Sequence, residues 1–275
     1  MLLTTSVTTF ATTIATSSSH FNPPFSFDQI PTYIQASNRS GLFSIPTLHN
    51  LALQSFVVLD SDQSIEMAPI NSNAENKIIT AARQIKEYAA TNNIIPPPSI
   101  YMYSQIDYAR TLYSAGEWFE HHPQYLLHNT DGTLAKEPQG HIYDHTQAFV
   151  QQQWASTIAQ PVLDSKGALD GVFIDGYRAD ATAYGFLTNI SDNKAKQWME
   201  GVKNSSSLLR VMLPSKKFNI FNNPGLWSSK GADAVMIETF YPDDGGIQNM
   251  IQTIQSGRLV QVHAAVNIAP GCKKF

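Results

Sequence analysis

Six short apolar runs constrain the fold of this chain more than any other feature of its sequence. The clearest is Gly171-Val-Phe-Ile-Asp175, in which four apolar residues precede a carboxylate. Runs of this length that are apolar at every position, rather than at alternate positions, are typical of strands buried on both faces of a parallel sheet. The six predicted strands are 56–59, 99–103, 171–175, 218–221, 234–237 and 259–262.

Amphipathic segments between these runs predict helices. Ser72 and Glu75 have the spacing of a capping box and are predicted to open the first helix, which ends before the prolines that begin at Pro96. Asp192 is predicted to cap a later helix, and Gly257 to close the last one. Two further predicted helical ranges are 147–164 and 246–256.

Strands that alternate with helices predict parallel βα units, and 275 residues suit a single (β/α)8 TIM barrel. About six units are visible, whereas a closed barrel needs eight. We therefore predict a barrel that is incomplete at its carboxyl terminus. Two alternatives are a fragment of a longer protein and an N-terminal arm that fills the gap.

The first fifty residues are predicted to lie outside the barrel, which is assigned to 51–275. Residues 1–20 carry no Lys, Arg, Asp or Glu and are mildly apolar, as in a secretory signal, although threonines interrupt the apolar run. Residues 21–50 are rich in Ser, Pro and Asn without a sustained period, which predicts an arm or linker. An extracellular or secretory-pathway location is expected, and a cytoplasmic one stays open.

Composition excludes several classes of function. The net charge is −4 and no basic stripe is present, so we expect no nucleic-acid partner. The sequence contains no stretch of 18 apolar residues, which is the length that a membrane-spanning helix needs. Cys272 is the single cysteine, which excludes a disulfide framework and a cysteine zinc site. The histidines match no metal-binding motif and no phosphate-binding glycine loop is present, so we expect neither a metal nor a cofactor.

Polar residues end the predicted strands. In a barrel the carboxyl ends of all strands converge on one mouth, where the active site lies. The alternative is that polar residues mark strand ends simply because they initiate turns. The residues at these positions are Asp60, Tyr103, Asp175, Asn222, Glu238 and His263.

Asp175 and Glu238 are the candidate catalytic residues. Each directly follows four residues of a predicted strand, so that both should face one cavity. Glycoside hydrolysis needs two carboxyl groups across the scissile bond, one to donate a proton and one to act as nucleophile or base. We predict that Glu238 is the acid/base and that Asp175 is the nucleophile or base.

Carbohydrate sites also need aromatic platforms and hydrogen-bonding groups. Tyr177 follows the strand of Asp175, and Tyr241 follows that of Glu238. Asp144 and His145 lie in a long loop before a helix. The predicted substrate-binding residues are Asp60, Tyr103, Asp144, His145, Tyr177, Asn222, Tyr241 and His263.

Several of these segments together resemble a known family. Gly116-Glu-Trp-Phe-Glu-His-His-Pro-Gln-Tyr-Leu-Leu is followed by Asp131-Gly132, Tyr143-Asp144-His-Thr and Leu169-Asp-Gly-Val-Phe-Ile-Asp-Gly176. This order is similar to TIM-barrel glycoside hydrolases, the glycoside-hydrolase-like proteins allied to the α-amylase and polygalactosaminidase barrels. The resemblance implies a (β/α)8 barrel, a carbohydrate substrate and a catalytic role for Asp175. Glu238 matches the second carboxylate by its position alone.

Two other functions stay open from the sequence. A catalytically inactive carbohydrate-binding barrel would place the two carboxyl groups beyond the range of hydrolysis, more than about 10 Å apart. A different barrel hydrolase, for example a metal-dependent one, would bring His145 or His263 together with the carboxylates around a metal.

Overall fold

The computed structural model describes residues 31–67, 73–178, 184–222, 231–238, 240 and 244–263. Its strands and helices alternate through most of this range, as the sequence predicts. The strands are β1 (Tyr33–Ala36), β2 (Phe56–Leu59), β3 (Ser99–Gln105), β4 (Lys136–Glu137), β5 (Gly140–His141), β6 (Gly171–Asp175), β7 (Phe218–Asn222), β8 (Ala234–Glu238) and β9 (Leu259–His263). The helices are α1 (Ile45–Ala52), α2 (Ala74–Thr91), α3 (Ser114–Glu120), α4 (Ala148–Asp164), α5 (Asp192–Met212) and α6 (Asp244–Gln255).

Seven strands form one parallel sheet in the order β1-β2-β3-β6-β7-β8-β9, and β4 and β5 form a separate antiparallel pair. All six strands predicted from the apolar runs are present. Every neighbouring pair in the large sheet is parallel. The carboxyl ends of the strands therefore lie on one side of the molecule.

The seventh strand, β1, lies inside the segment predicted to be an arm or linker. Tyr33–Ala36 pairs with β2, and α1 follows it with Ser44 as its N-cap. The prediction of a linker at 21–50 is therefore wrong from residue 33 onward, and an N-terminal segment extends the sheet. The strand escaped notice because it has only four residues, one of which is Gln35. Residues 1–30, with the signal-like segment, lie outside the described residues.

The sheet is strongly curled. Three strand spacings separate β1 from β6, which is about 14 Å in a flat sheet. The rings of Tyr33 on β1 and Phe173 on β6 nevertheless stack with centroids 6.2 Å apart. The described strands thus form an open, seven-stranded half-barrel in which β1 and β9 are the edges. This half-barrel is consistent with the incomplete barrel that the sequence predicts, and eight βα units are not seen among the described residues.

Two apolar layers hold the sheet. The outer core lies between the sheet and the helices, and includes the fully buried indoles of Trp154 on α4 and Trp198 on α5. Each indole N–H donates to a backbone carbonyl, that of Gln105 at 3.0 Å and that of Tyr143 at 2.7 Å. The inner cluster fills the concave face with Val58, Tyr101, Tyr103, Phe173, Phe218, Ile220, Ala234 and Met236.

Two helix starts differ from the predicted ones by one residue. Asn73 caps α2 by accepting from the N–H of Asn76, whereas the Glu75 carboxylate accepts from the N–H and the hydroxyl of Ser114. Ser72 lies outside the described residues. Ser191, not Asp192, caps α5 through its hydroxyl. Of the helices in the described ranges, none combines the length and apolarity that crossing a membrane requires.

Candidate active site

The inner face of the sheet carries polar groups at its carboxyl rim. Residues alternate between the two faces of a strand, so the residue two positions after an inner one also points inward. Phe173, Ile220 and Met236 belong to the inner cluster. The residues two positions later are Asp175, Asn222 and Glu238, which place two carboxylates and one amide at the rim.

Asn222 brings the two candidate catalytic carboxylates together. Its side-chain nitrogen donates to Oδ1 of Asp175 and to Oε2 of Glu238, each at 3.0 Å. The two hydrogens of a planar amide diverge by about 120°, so acceptors at this distance lie about 5 Å apart. Asp175 and Glu238 therefore face one space at the end of β6, β7 and β8.

Asp175 is held by donors on both oxygens. The phenol of Tyr103 donates to Oδ2 at 2.6 Å, and the Gly176 N–H donates to Oδ1 at 2.8 Å. Burial, and then the charge of Asp175, raises the pKa of Tyr103 above its ordinary value. The phenol thus keeps its proton, while Gln105 donates in turn to the phenol oxygen at 2.5 Å. These contacts fix the orientation of the Asp175 carboxylate.

Glu238 is exposed to solvent, in contrast to half-buried Asp175. His263, which is also exposed, lies beside Glu238 in the register of β8 and β9. The pair therefore forms the open side of the rim. A carboxylate in this position has access to water and to the part of a substrate that extends outward.

Asp60 lies on the other side of the rim, after β2. It accepts from the side-chain amide of Gln35 at 2.7 Å and lies 3.8 Å from the guanidinium of Arg110. Tyr33 joins the two sides: burial and then the charges of Asp175, Glu238 and Asp60 raise the pKa of its phenol above its ordinary value. Gln35, Arg110 and Tyr33 were not predicted, because β1 was not recognised and Arg110 follows no apolar run.

A third carboxyl group, Asp107, lies behind the rim and was also missed. It is only 4% exposed, and burial raises its pKa to about 8, with the charge of Asp175 acting in the same direction. It packs against Gly176, where a Cβ atom would lie 2.2 Å from Asp107 Oδ1. Gly176 has φ +78°, so both its conformation and the closeness of Asp107 favour glycine. The feature of the sequence that could have pointed to Asp107 is Gly176, since a glycine directly after a strand indicates that another group packs closely there.

Three predicted substrate-binding residues lie away from the rim. His145 has no exposed surface, and its ring nitrogens contact the Ile106 carbonyl at 2.6 Å and the Ser205 hydroxyl at 2.8 Å. Asp144 is buried and accepts from Thr146 and Gln147 at the start of α4. These contacts stabilise the loop instead of leaving the side chains open to a substrate.

Tyr177 is also buried, and its ring packs edge-on against Phe221 in the outer core, behind the sheet. Tyr241 lies outside the described residues. Of the predicted residues, the structure therefore brings together Asp175, Glu238, Asn222 and Tyr103, with Asp60 and His263 on the same rim.

A cavity of ≈ 500 Å³ opens on the concave side of the sheet below this rim. Its volume is within the usual range for small-molecule sites. Aromatic and aliphatic side chains of the inner face form its floor, and both edge strands contribute to its wall. Its lining includes Tyr33, Ile220, Ala234, Leu259, Gln261 and His263. In the described residues, no group of three or more His, Cys, Asp or Glu side chains is arranged to hold a metal ion.

Comparison with known proteins gives one family and a set of related folds. The model of a family described as "hypothetical glycosyl hydrolase family 15" matches residues 99–270, which is more than half of the chain. No curated protein matches this chain.

Solved structures with a similar fold include the GH36 alpha-galactosidase AgaA from Geobacillus stearothermophilus, with 13% identity and a TM-score of 0.51 over 90% of this chain and 36% of that one. The galactosidase domain of the alpha-galactosidase-sucrose kinase AgaSK gives 14% and 0.51 over 90% and 35%. An uncharacterized protein of Listeria monocytogenes, lmo2446, gives 12% and 0.51 over 81% and 24%. The chain thus spans about a third or less of each structure, and at these identities the likeness concerns the fold.

Proposed function

The chain belongs to hypothetical glycosyl hydrolase family 15, and on that basis we propose that it is a glycosidase that cleaves O-glycosidic bonds of an oligo- or polysaccharide with Asp175 and Glu238. The observation that carries this proposal is the contact of one Asn222 nitrogen with both carboxylates. It supports a site in which two acidic groups face the same bond of a bound sugar.

The surroundings of the two carboxylates support different roles. Asp175 accepts only from donors in its described contacts and is held in one orientation, which suits an anion that attacks or stabilises the anomeric carbon. Glu238 is exposed, which suits a group that protonates the leaving oxygen and then contacts water. We assign Asp175 as nucleophile and Glu238 as acid/base.

The separation of the carboxylates favours hydrolysis with retention. Retaining glycosidases hold their two carboxyl groups about 5–5.5 Å apart, and inverting ones about 6.5–9.5 Å apart. The two contacts of Asn222 imply a separation of about 5 Å between the accepting oxygens of Asp175 and Glu238, which supports the first range. Asp175 would form a bond to the anomeric carbon as Glu238 gives its proton to the departing oxygen. Water would then attack that carbon and give a proton to Glu238 while the bond from the carbon to Asp175 breaks, which regenerates both carboxyl groups.

The test is hydrolysis of a panel of oligosaccharides and polysaccharides by the wild type and by Asp175→Asn and Glu238→Gln. Loss of the acid/base group typically lowers the rate by about 10²–10⁴-fold, and we expect at least this loss in each variant. Proton NMR of the first product identifies its anomeric form, and retention of configuration is the expected result.

Two exposed acidic residues on helices serve as matched controls. Asp164→Asn at the end of α4 and Glu200→Gln on α5 remove the same charges far from the rim, and we expect wild-type rates. Full activity in both rim variants on a substrate that the wild type cleaves would overturn the assignment. Saccharide binding without cleavage by the wild type would favour the inactive carbohydrate-binding barrel instead.

A further inference from the structure

Two buried polar atoms beside the carboxylates have no hydrogen-bond partner in the described part of the chain. They are the side-chain oxygen of Asn222 and the side-chain nitrogen of Gln261. Asn222 is only 7% exposed, and its nitrogen is already used by the two carboxylates. One acceptor and one donor are therefore left over at the same site.

Both groups lie on the inner face of the sheet. Asn222 pairs in register with Met236, and Met236 pairs with Gln261 on the next strand. Gln261 alternates with Leu259, which packs on the inner cluster, so its side chain also points inward. The acceptor and the donor thus flank the buried side chain of Met236, directly below Glu238.

The cavity under the rim begins at this level. Gln261 lines it, and so do Ile220, Ala234 and Leu259, which lie two positions before Asn222, Met236 and Gln261 on the same strands. The surface between and below the two unpartnered atoms is apolar. A ligand group that enters here must pair with one acceptor and one donor and also bury apolar surface.

Unpaired buried polar groups are rare in folded proteins, because each loses its hydration without a replacement. Binding of a group that satisfies both atoms recovers this loss. The unpartnered atoms therefore favour one ligand chemistry over others at this site.

We propose that Asn222 and Gln261 recognise the acetamido group of an N-acetylhexosamine unit bound at the rim, and this rests on the proposed glycosidase function. The acetamido N–H would donate to the Asn222 oxygen, its carbonyl would accept from the Gln261 nitrogen, and its methyl group would enter the apolar cavity beside Met236.

A sugar hydroxyl is the competing ligand group, because it also donates and accepts. One hydroxyl oxygen must lie within hydrogen-bond distance of both protein atoms at once. Asn222 and Gln261, however, lie two strands apart, about 10 Å between backbones before the side chains converge. An acetamido group presents its donor and acceptor on separate atoms, and it also supplies the methyl group that an apolar floor requires.

The test is direct binding to the purified protein, measured by isothermal titration calorimetry. N-acetylglucosamine and N-acetylgalactosamine are compared with glucose and galactose, which carry a hydroxyl in place of the acetamido group. We expect the acetamido sugars to bind at least about tenfold more tightly. Gln261→Met removes the donor at similar length and should abolish most of this preference. Gln255→Met, on the exposed side of α6, should leave it unchanged.

Circular dichroism of Gln261→Met establishes that the variant is folded. A second variant, Gln261→Glu, keeps the length and size of the side chain but replaces the donor by an acceptor, and it should also lose the preference. Equal binding of acetamido and hydroxyl sugars, no binding of either acetamido sugar, or an unchanged preference in both variants would overturn the inference. Binding is measured apart from hydrolysis, so the glycosidase proposal is judged separately by the Asp175 and Glu238 variants.

Discussion

One amide nitrogen positions both rim carboxylates, and this makes Asn222 the residue on which the site geometry depends most. A carboxylate in its place would bring three negative charges together, and an aliphatic residue would leave Asp175 and Glu238 to repel each other. Asp175 depends in addition on Tyr103 and on the Gly176 N–H. The site is thus held by neutral donors, which keep the acidic groups close without neutralising them.

Asp107 gives a prediction for the pH dependence of stability. Burial raises its pKa to about 8, whereas an unfolded chain has about 3.9. The folded protein therefore holds a proton that the unfolded chain releases, and this contribution to stability, complete below about pH 4, is lost as the pH rises to about 8. Asp107→Asn cannot release a proton. Between pH 5 and pH 8 the free energy of unfolding of this variant should therefore increase relative to that of the wild type as the pH rises.

Urea unfolding at several pH values measures this difference. The free energy of unfolding of the variant minus that of the wild type should rise steadily from pH 5 to pH 8, by up to about 1.4 kcal/mol per pH unit. His145, whose pKa burial lowers to about 4, changes stability in the opposite direction below pH 6.5, but it is common to both proteins. Parallel pH profiles of wild type and variant would contradict the prediction.

At the residue level, the sequence predicted the parts of the site that lie at the ends of the short apolar strands. Asp175, Glu238 and Asn222 follow such runs, and parallel pairing necessarily brings them to one rim. His145 and Tyr177 were predicted to bind the substrate, but in the structure both side chains are buried in the protein interior. Gln261 lies in the middle of a strand, so no pattern of strand ends could reveal it.

The loop from β3 to α4 shows how an element can mislead a prediction from composition. It is rich in histidine and aromatic residues, which suggested ligand contacts. In the structure the loop packs against itself: the Tyr143 N–H donates to the Asp107 carbonyl at 3.0 Å, and the Tyr143 ring contacts Phe119. These contacts connect residues that are distant in the sequence, so periodicity within the loop does not predict them.

The start of α5 gives a prediction at the level of the element. Ser191 accepts from the Lys194 N–H through its hydroxyl, whereas Asp192 is the first residue of the helix. Ser191→Ala should lower the free energy of unfolding by about 1 kcal/mol, because the N–H loses its partner. Asp192→Ala removes only a favourable charge near the helix start and should cost less, about 0.3–1 kcal/mol.

Urea denaturation of the two variants beside the wild type gives both values in one experiment. Lys196→Ala, on the same helix but beyond its first turn, is a control that should have little effect. A larger loss of unfolding free energy for Asp192→Ala than for Ser191→Ala would indicate that Asp192 is the cap, as the sequence alone predicts.

At the level of the whole molecule, β1 extends the folded unit beyond the predicted boundary at residue 51. It pairs with β2 along all four of its residues, and Tyr33 crosses the curled sheet to stack on Phe173. Removal of residues 1–50 would expose the edge of β2, one wall of the cavity and the face of α2 that α1 covers. A protein that begins at residue 51 should therefore melt well below one that begins at residue 31.

Thermal unfolding of these two proteins, followed by circular dichroism, makes the comparison. Equal melting temperatures would show that β1 and α1 add nothing to the cooperative unit. The boundary at 51 came from the first strong apolar run, and strand pairing, which the sequence does not display directly, extends the folded unit at least to the start of β1.

The rim groups come from strands as far apart along the chain as Tyr103 and His263. Contacts of such long range close late, after most of the chain entropy has been lost. No intermediate that lacks one of these strands can hold the complete set. Recovery of the proposed hydrolytic activity after dilution from denaturant should thus lag behind recovery of the helical signal, and turnover would report the final step of assembly.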